Sequence, residues 1–220
     1  MKNIDDGVIK YDHSDFTLTN PLELSEYKEI EKLRSVLFQI KLIGCYEQNS
    51  VGYGNISCKK NYLHLFNAAK PQFLISGSQT GNLRELSGKH YTRVINYDIE
   101  HFKIQTHGPL KASSESLTHA AIYEANNNIN VVIHIHSQKI WEGMLKDHLP
   151  STSALIPYGT KEMATAVQEL IYYSQKNYFA MQGHTEGVII FGNNFKQALE
   201  DTLFLYQKYV DSNFFLDINY

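Results

Sequence analysis

The chain has 220 residues, 43% of them apolar and 20% charged, the balance of an ordinary folded domain that can bury a core without disulfide staples. Its 20 Lys and Arg against 23 Asp and Glu give a net charge of −3, so no basic excess exists to act as a nucleic-acid footprint. No apolar run approaches the ~20 residues that a spanning helix needs, and the opening segment carries Asp5 and Asp6 without the apolar core of a secretory leader.

Residues 1–20 are polar and aperiodic and read as an N-terminal arm; residues 21–220 read as a single domain. A helix is expected over 21–43, where Ile30, Leu33, Leu37 and Ile40 recur at helical spacing, with Pro21 in its first turn and Gly44 as its stop. Gly52 and Gly54 mark a loop or bulge before a strand at 56–59. Further strands are expected at 62–66, 73–76, 92–97 and 102–105. Residues 113–126 predict a helix capped by Ser113 or Ser114, with Leu117, Ala121 and Ile122 as its apolar stripe.

The β-branched run Val131-Val132-Ile133 predicts a strand over 129–136 that is buried on both faces. Helices follow at 138–145 and 161–173, strands at 178–181 and 186–191, and a closing helix at 194–210. That helix should turn Ala198, Leu199, Leu203, Leu205 and Tyr206 inward. Strands cluster before helices alternate with them, so a mixed or mostly antiparallel sheet flanked by helices is expected. Cys45 and Cys58, without an export signal, read as reduced thiols in a cytoplasm, Cys58 as a small core residue on its strand.

The strongest chemical signal is His134-Ile135-His136. Residues i and i+2 of a strand leave the same face, so two imidazoles stand side by side, close enough to share one ion. Two histidines so spaced can also be separate polar residues, and a site needs a third ligand. His184 and Glu186, in the turn Gly183-His-Thr-Glu-Gly187, both offer one. Ala112-Ser-Ser-Glu115 opens the 113–126 helix, where free N–H groups and two hydroxyls suit an anion such as phosphate; the same residues also suit plain capping. Gly52, Gly54, Gly77 and Gly81 supply further turn N–H groups. His119, one turn beyond Glu115, reads as a packed histidine. No Walker or dinucleotide-binding glycine run is present.

Taken in order, the motifs resemble those of the class II aldolase/adducin family. The matching pieces are Gly54-Asn-Ile-Ser57, Ser76-Gly77, Ala112-Ser-Ser-Glu115, Val132-Ile-His-Ile-His-Ser137, Gly159-Thr-Lys-Glu162 and the Gly183-His184 loop followed by Gly187-Val-Ile-Ile-Phe-Gly192. The resemblance implies a three-layer α/β/α sandwich with a central, mainly antiparallel sheet, as a tetramer with sites between subunits. It implies a divalent ion, typically zinc, on His134, His136 and His184. Glu115 would be the acid/base carboxylate. Gly54, Asn55, Ser76, Gly77, Ser113 and Ser114 would hold a substrate phosphate. The implied reaction is making or breaking a carbon–carbon bond in a phosphorylated sugar or similar carbonyl compound, with zinc stabilising an enediolate. Epimerisation or dehydration of a sugar phosphate on the same metal site, and a non-catalytic adducin-like module, are the alternatives; the adducin-like members lack the metal histidines. Asp stands where Glu115 is in related epimerases, which tilts the resemblance towards aldolase chemistry.

The chain departs from the sugar-phosphate aldolases in three places. Their last-loop histidine is followed directly by Gly, whereas Thr185 and Glu186 intervene here, so a gap-free alignment of the strand puts Glu186 at the ligand position. The stretch 137–159 is shorter and lacks the segment that lends a tyrosine to a neighbouring site. Tyr158 is a poor substitute by position; Glu186, Tyr206 or Tyr209 are the other candidates. Thr80-Gly81 competes with Ser76-Gly77 for the phosphate turn.

Overall fold

The structure is a computed structural model that describes residues 8–48, 50–62 and 70–215. Among the described residues the elements run in chain order: β1 (Phe16–Leu18), α1 (Leu24–Gln39), β2 (Gly44–Cys45), β3 (Gly52–Tyr53), β4 (Asn55–Lys59), β5 (Phe73–Ser76), β6 (Tyr91–Asp98), β7 (Lys103–Gly108), α2 (Ser116–Ala125), β8 (Val131–His136), α3 (Gln138–Lys146), α4 (Lys161–Tyr173), β9 (Tyr178–Ala180), β10 (Gly187–Gly192) and α5 (Phe195–Tyr209). Eight strands form one sheet in the order β1-β7-β6-β5-β4-β8-β10-β9, and β2 pairs separately with β3. Every pair in the large sheet is antiparallel except β1 with β7.

The pleat sorts the core into two layers. Ile56, Leu74, Ile133 and Ile135 pack towards Leu33 and Leu37 of α1, Met144 of α3 and Leu205 of α5. Residues of the opposite parity, such as Phe73, Ile75, Val132 and Ile189, pack towards Ile122 of α2 and Val167 of α4. Helices thus cover both faces of a mainly antiparallel sheet, the three-layer arrangement expected. β8 is buried along its whole length. Cys58 is buried in the α1 layer, and both cysteines are free thiols. No helix among the described residues is long and apolar enough to cross a membrane.

Several boundaries differ from expectation. α1 stops at Gln39, not near Gly44. Lys41 takes a left-handed conformation, its N–H donates to Phe38 O, and Leu42 N–H donates to Leu37 O, closing the helix without a glycine. α2 starts at Ser116, and neither Ser113 nor Ser114 caps it: Glu115 occupies the cap position with its side chain drawn elsewhere. Phe16–Leu18 of the arm pairs with Thr106–Gly108 at the sheet edge; it is largely exposed there, so it carries no apolar alternation to read. Of the strand expected at 62–66, all but Tyr62 lies outside the described residues.

Candidate metal centre and active site

The site lies at the C-terminal end of β8, on the face that α2 covers further along. Val132, His134 and His136 share a parity. Val132 packs against the α2 layer, and the two histidines emerge past the start of that helix. β4 is in register with β8, so Asn55 stands opposite His134 and Ser57 opposite Val132. β10 flanks the other side, Gly187 opposite His136 and Ile189 opposite His134. The turn before β10 carries His184.

Two glycines make this packing possible. A Cβ at Gly183 would collide with the carbonyl of Ile156, so only glycine lets the His184 turn lie against the 156–158 segment. Gly54 has φ +75°, and a Cβ there would press on Ile43 and on His134 O.

His134, His136 and His184 are all buried, and one ligand atom from each lies within 4.8 Å of the others. His136 Nε2 and His184 Nε2 are 3.0 Å apart. His134 Nδ1 contacts Glu115 Oε2, which also accepts from Asn55 Nδ2 at 2.8 Å. A carboxylate only accepts, so His134 gives it the Nδ1 proton and keeps its lone pair on Nε2. That Nε2 is buried without a hydrogen-bond partner, as is Glu115 Oε1, which lies 4.0 Å from His184 Nε2. Orphaned buried polar atoms are costly. A divalent cation would relieve both, and three imidazoles with a carboxylate are the donors that zinc and related ions take. The residues therefore fit a metal ion.

The electrostatics agree. Burial by itself would raise the Glu115 pKa, but His134, His184 and the Asn55 amide outweigh it and hold the carboxyl at about 2. Burial, reinforced by His184 and His134, holds His136 well below the ordinary histidine value, so the ring is neutral, as a ligand must be. His119 is packed: its Nδ1 lies 2.7 Å from Ser57 Oγ, and burial lowers its pKa to about 3 against the pull of Glu115.

A pocket opens over this cluster. Its walls include Gly54, Asn55, Gly77, Ser113, Ser114 and Glu115 together with the three histidines, and also the turn 78–81. Ser76 is not among them. It shares a parity with Leu74, on the α1 side, and its Oγ accepts the Ile56 N–H at 3.2 Å. Thr80 and Gly81 line the pocket where Ser76 does not.

The family model of the class II aldolase and adducin N-terminal domain matches residues 40–207. The chain belongs to the class II aldolase and adducin family. No curated protein sequence matches it. Among solved structures, the YgbL protein of Escherichia coli is similar with TM-score 0.58 and 20% identity over 83% of this chain and 86% of that one. L-fuculose-1-phosphate aldolase of Thermus thermophilus is similar with TM-score 0.55 and 18% identity over 84% and 95%. A sugar-phosphate aldolase of Thermotoga maritima gives 0.55 and 19% over 83% and 94%. At such identities these neighbours establish the family's fold.

Within that family fold, three tyrosines stand around the histidines that motif reading did not bring there. Tyr53 stacks on His136 with ring centroids 5.4 Å apart, and Tyr46 Oη lies 2.7 Å from His136 Nδ1. Tyr158, a poor candidate by position, is buried in the pocket wall with its ring 4.3 Å from that of His184. Its place depends on the chain path between α3 and α4, which no local pattern encodes. Tyr206 packs on Phe214, Tyr209 donates to Asp147, and neither lines this pocket. Glu186 is outside the three-histidine cluster; its Oε2 accepts from Tyr46 Oη.

Proposed function

We propose that the protein is a divalent-metal-dependent lyase of the aldolase type, acting on a carbon–carbon bond in a phosphorylated sugar or similar carbonyl compound, with zinc as the metal. The observation that carries this reading is the convergence of three buried imidazoles and an orphaned carboxylate oxygen at the floor of a pocket walled by glycine turns and serines. A cation held by His134, His136 and His184 would supply Lewis-acid polarisation of a carbonyl. The chain's own residues do the rest. Glu115 moves the proton: Asn55 and His134 clamp Oε2, which leaves Oε1 free to touch the cation before substrate binds and to take the substrate's proton once it has. Gly54, Asn55, Gly77, Ser113 and Ser114 line the wall that would take the phosphate, with Thr80-Gly81 in the place proposed from sequence for Ser76. Phosphate binding there would orient the reacting carbons.

Elemental analysis of the purified protein, followed by NMR product analysis on a panel of ketose phosphates, tests the reading. Dihydroxyacetone phosphate or glycolaldehyde phosphate among the products marks cleavage. An epimer without either fragment would replace lyase by epimerase on the same site. Absence of bound metal, with no binding of added zinc, would sink both. The serines carry a separate expectation. Ser113→Ala with Ser114→Ala should raise KM for a phosphorylated substrate about a hundredfold or more, since two hydroxyl contacts to a charged group are lost, each worth about 1.5–3 kcal/mol. An unchanged KM would place the phosphate elsewhere.

A further inference from the structure

We propose that Glu186, Tyr46 and His136 form a hydrogen-bond relay that fixes the tautomer of His136 and presents its Nε2 lone pair to the cluster of imidazoles. The use of that lone pair by a cation rests on the metal-centre reading above; the relay itself is a property of the metal-free chain.

The proton count sets its direction. Tyr46 Oη lies 2.7 Å from His136 Nδ1 and 3.3 Å from Glu186 Oε2. A tyrosine hydroxyl has one proton, and a carboxylate can only accept. The phenol proton therefore goes to Glu186, and the phenol oxygen accepts from His136 Nδ1–H. A neutral imidazole protonated at Nδ1 has its lone pair at Nε2, the atom that faces His184 Nε2. The opposite polarity would set a carboxylate oxygen against a phenol lone pair and turn an N–H towards the cation. The relay also passes part of the Glu186 charge to the ring, which makes Nε2 a stronger donor.

The local backbone holds each member in place. Glu186 has φ +69°, a conformation that costs a residue with a Cβ of order 1 kcal/mol or more. It is held there because Ser137 N–H donates to Glu186 O at 3.0 Å and because Gly187 pairs with His136 in register. Tyr46 is fixed by a closed turn, its N–H donating to Val51 O and its O accepting from Ser50 N–H, and its ring lies 4.8 Å from Tyr53. The two residues inserted between His184 and Gly187 thus acquire a use: they place a carboxylate behind a ligand, not on the metal.

The test uses full-length protein with Tyr46→Phe, Glu186→Ala, which removes the acceptor altogether, and the double substitution. Imidazole nitrogen NMR of the metal-free wild type should show His136 protonated at Nδ1, and both single variants should lose that pure tautomer. Zinc affinity, read by competition with a chromophoric chelator, should fall about 10–100-fold in each single variant. The double variant should be no weaker than Tyr46→Phe alone, because both changes cut one chain. Wild-type His136 protonated at Nε2, or variants with unchanged tautomer, or losses that simply add, would each overturn the relay. If the wild type binds no zinc, the metal-centre reading fails while the NMR arm still decides the relay.

Discussion

His134→Ala protein is expected to hold no stoichiometric divalent ion, whereas Glu115→Gln protein keeps the ion and loses turnover by about 10²–10⁴-fold. The two residues touch each other, so the contrast between them is informative. Removing His134 would delete one of the three nitrogen donors proposed for the ion and one of the two partners of Glu115 Oε2, in a fully buried place. Glutamine at 115 still offers an oxygen to His134 Nδ1, so the imidazole stays aimed, but it can no longer take a proton. Elemental analysis of both variants checks the first half and a substrate assay the second. Thermal melting adds a scale. A ligand at a hundred times its dissociation constant stabilises by about 2.7 kcal/mol, which for a chain of this size is a melting shift of about 5–10 °C. Wild type and Glu115→Gln should show it on adding zinc, and His134→Ala should not. Equal metal loss in both variants would make Glu115 chiefly a ligand.

The second large effect concerns Arg34, far from the histidines in sequence and outside the pocket wall. Its guanidinium is buried in α1. It donates to Arg84 O at 2.8 Å, to Leu83 O and to Gly81 O, and it lies 3.8 Å from Glu31 Oε1. Glu31 in turn accepts the Leu86 N–H and the Tyr91 hydroxyl. This pair ties α1 to the segment 81–86, directly after the turn that lines the pocket. Methionine at 34 keeps the length of the side chain and removes every donor, leaving up to three carbonyls and one carboxylate short of partners. Breaking one side of a buried pair costs about 3–5 kcal/mol. Urea unfolding should show that loss as a lower midpoint at unchanged slope. A loss under about 1 kcal/mol would mean that water replaces the guanidinium. Arg34→Lys should recover only part, because one ammonium cannot reach three carbonyls as a planar fork does.

None of the partners of Arg34 was readable in advance. Periodicity placed Leu33 and Leu37 in the core, and they are there, but Arg34 sits between them as a charge in a helix that periodicity treats as one of its polar positions. The same limit applies around the site. Alternation put His134 and His136 on one face, and they do share a face with Val132. It did not reveal that Ser76, by the same alternation along β5, turns towards α1 and so leaves the pocket wall to Thr80 and Gly81. The expected cap on α2 failed for a related reason. A serine caps a helix from the position that precedes it; here Glu115 holds that position with its carboxylate on His134 and Asn55, and Ser113 Oγ instead accepts the Glu115 N–H one turn earlier.

The strand and helix periods and the glycines of tight turns placed most of the elements, because those depend on properties repeated locally, whereas the family and its layered architecture were implied by the resemblance of the ordered motifs to a known family. Which loop residues meet is set by strand register and by the path of distant segments. His184 and not Glu186 joins the two strand histidines, and Tyr46 and Tyr158 come to their rings, because β10 pairs with β8 at one register and the 156–158 segment packs on Gly183. Such contacts join residues up to 140 positions apart, and no local pattern carries a distance of that kind.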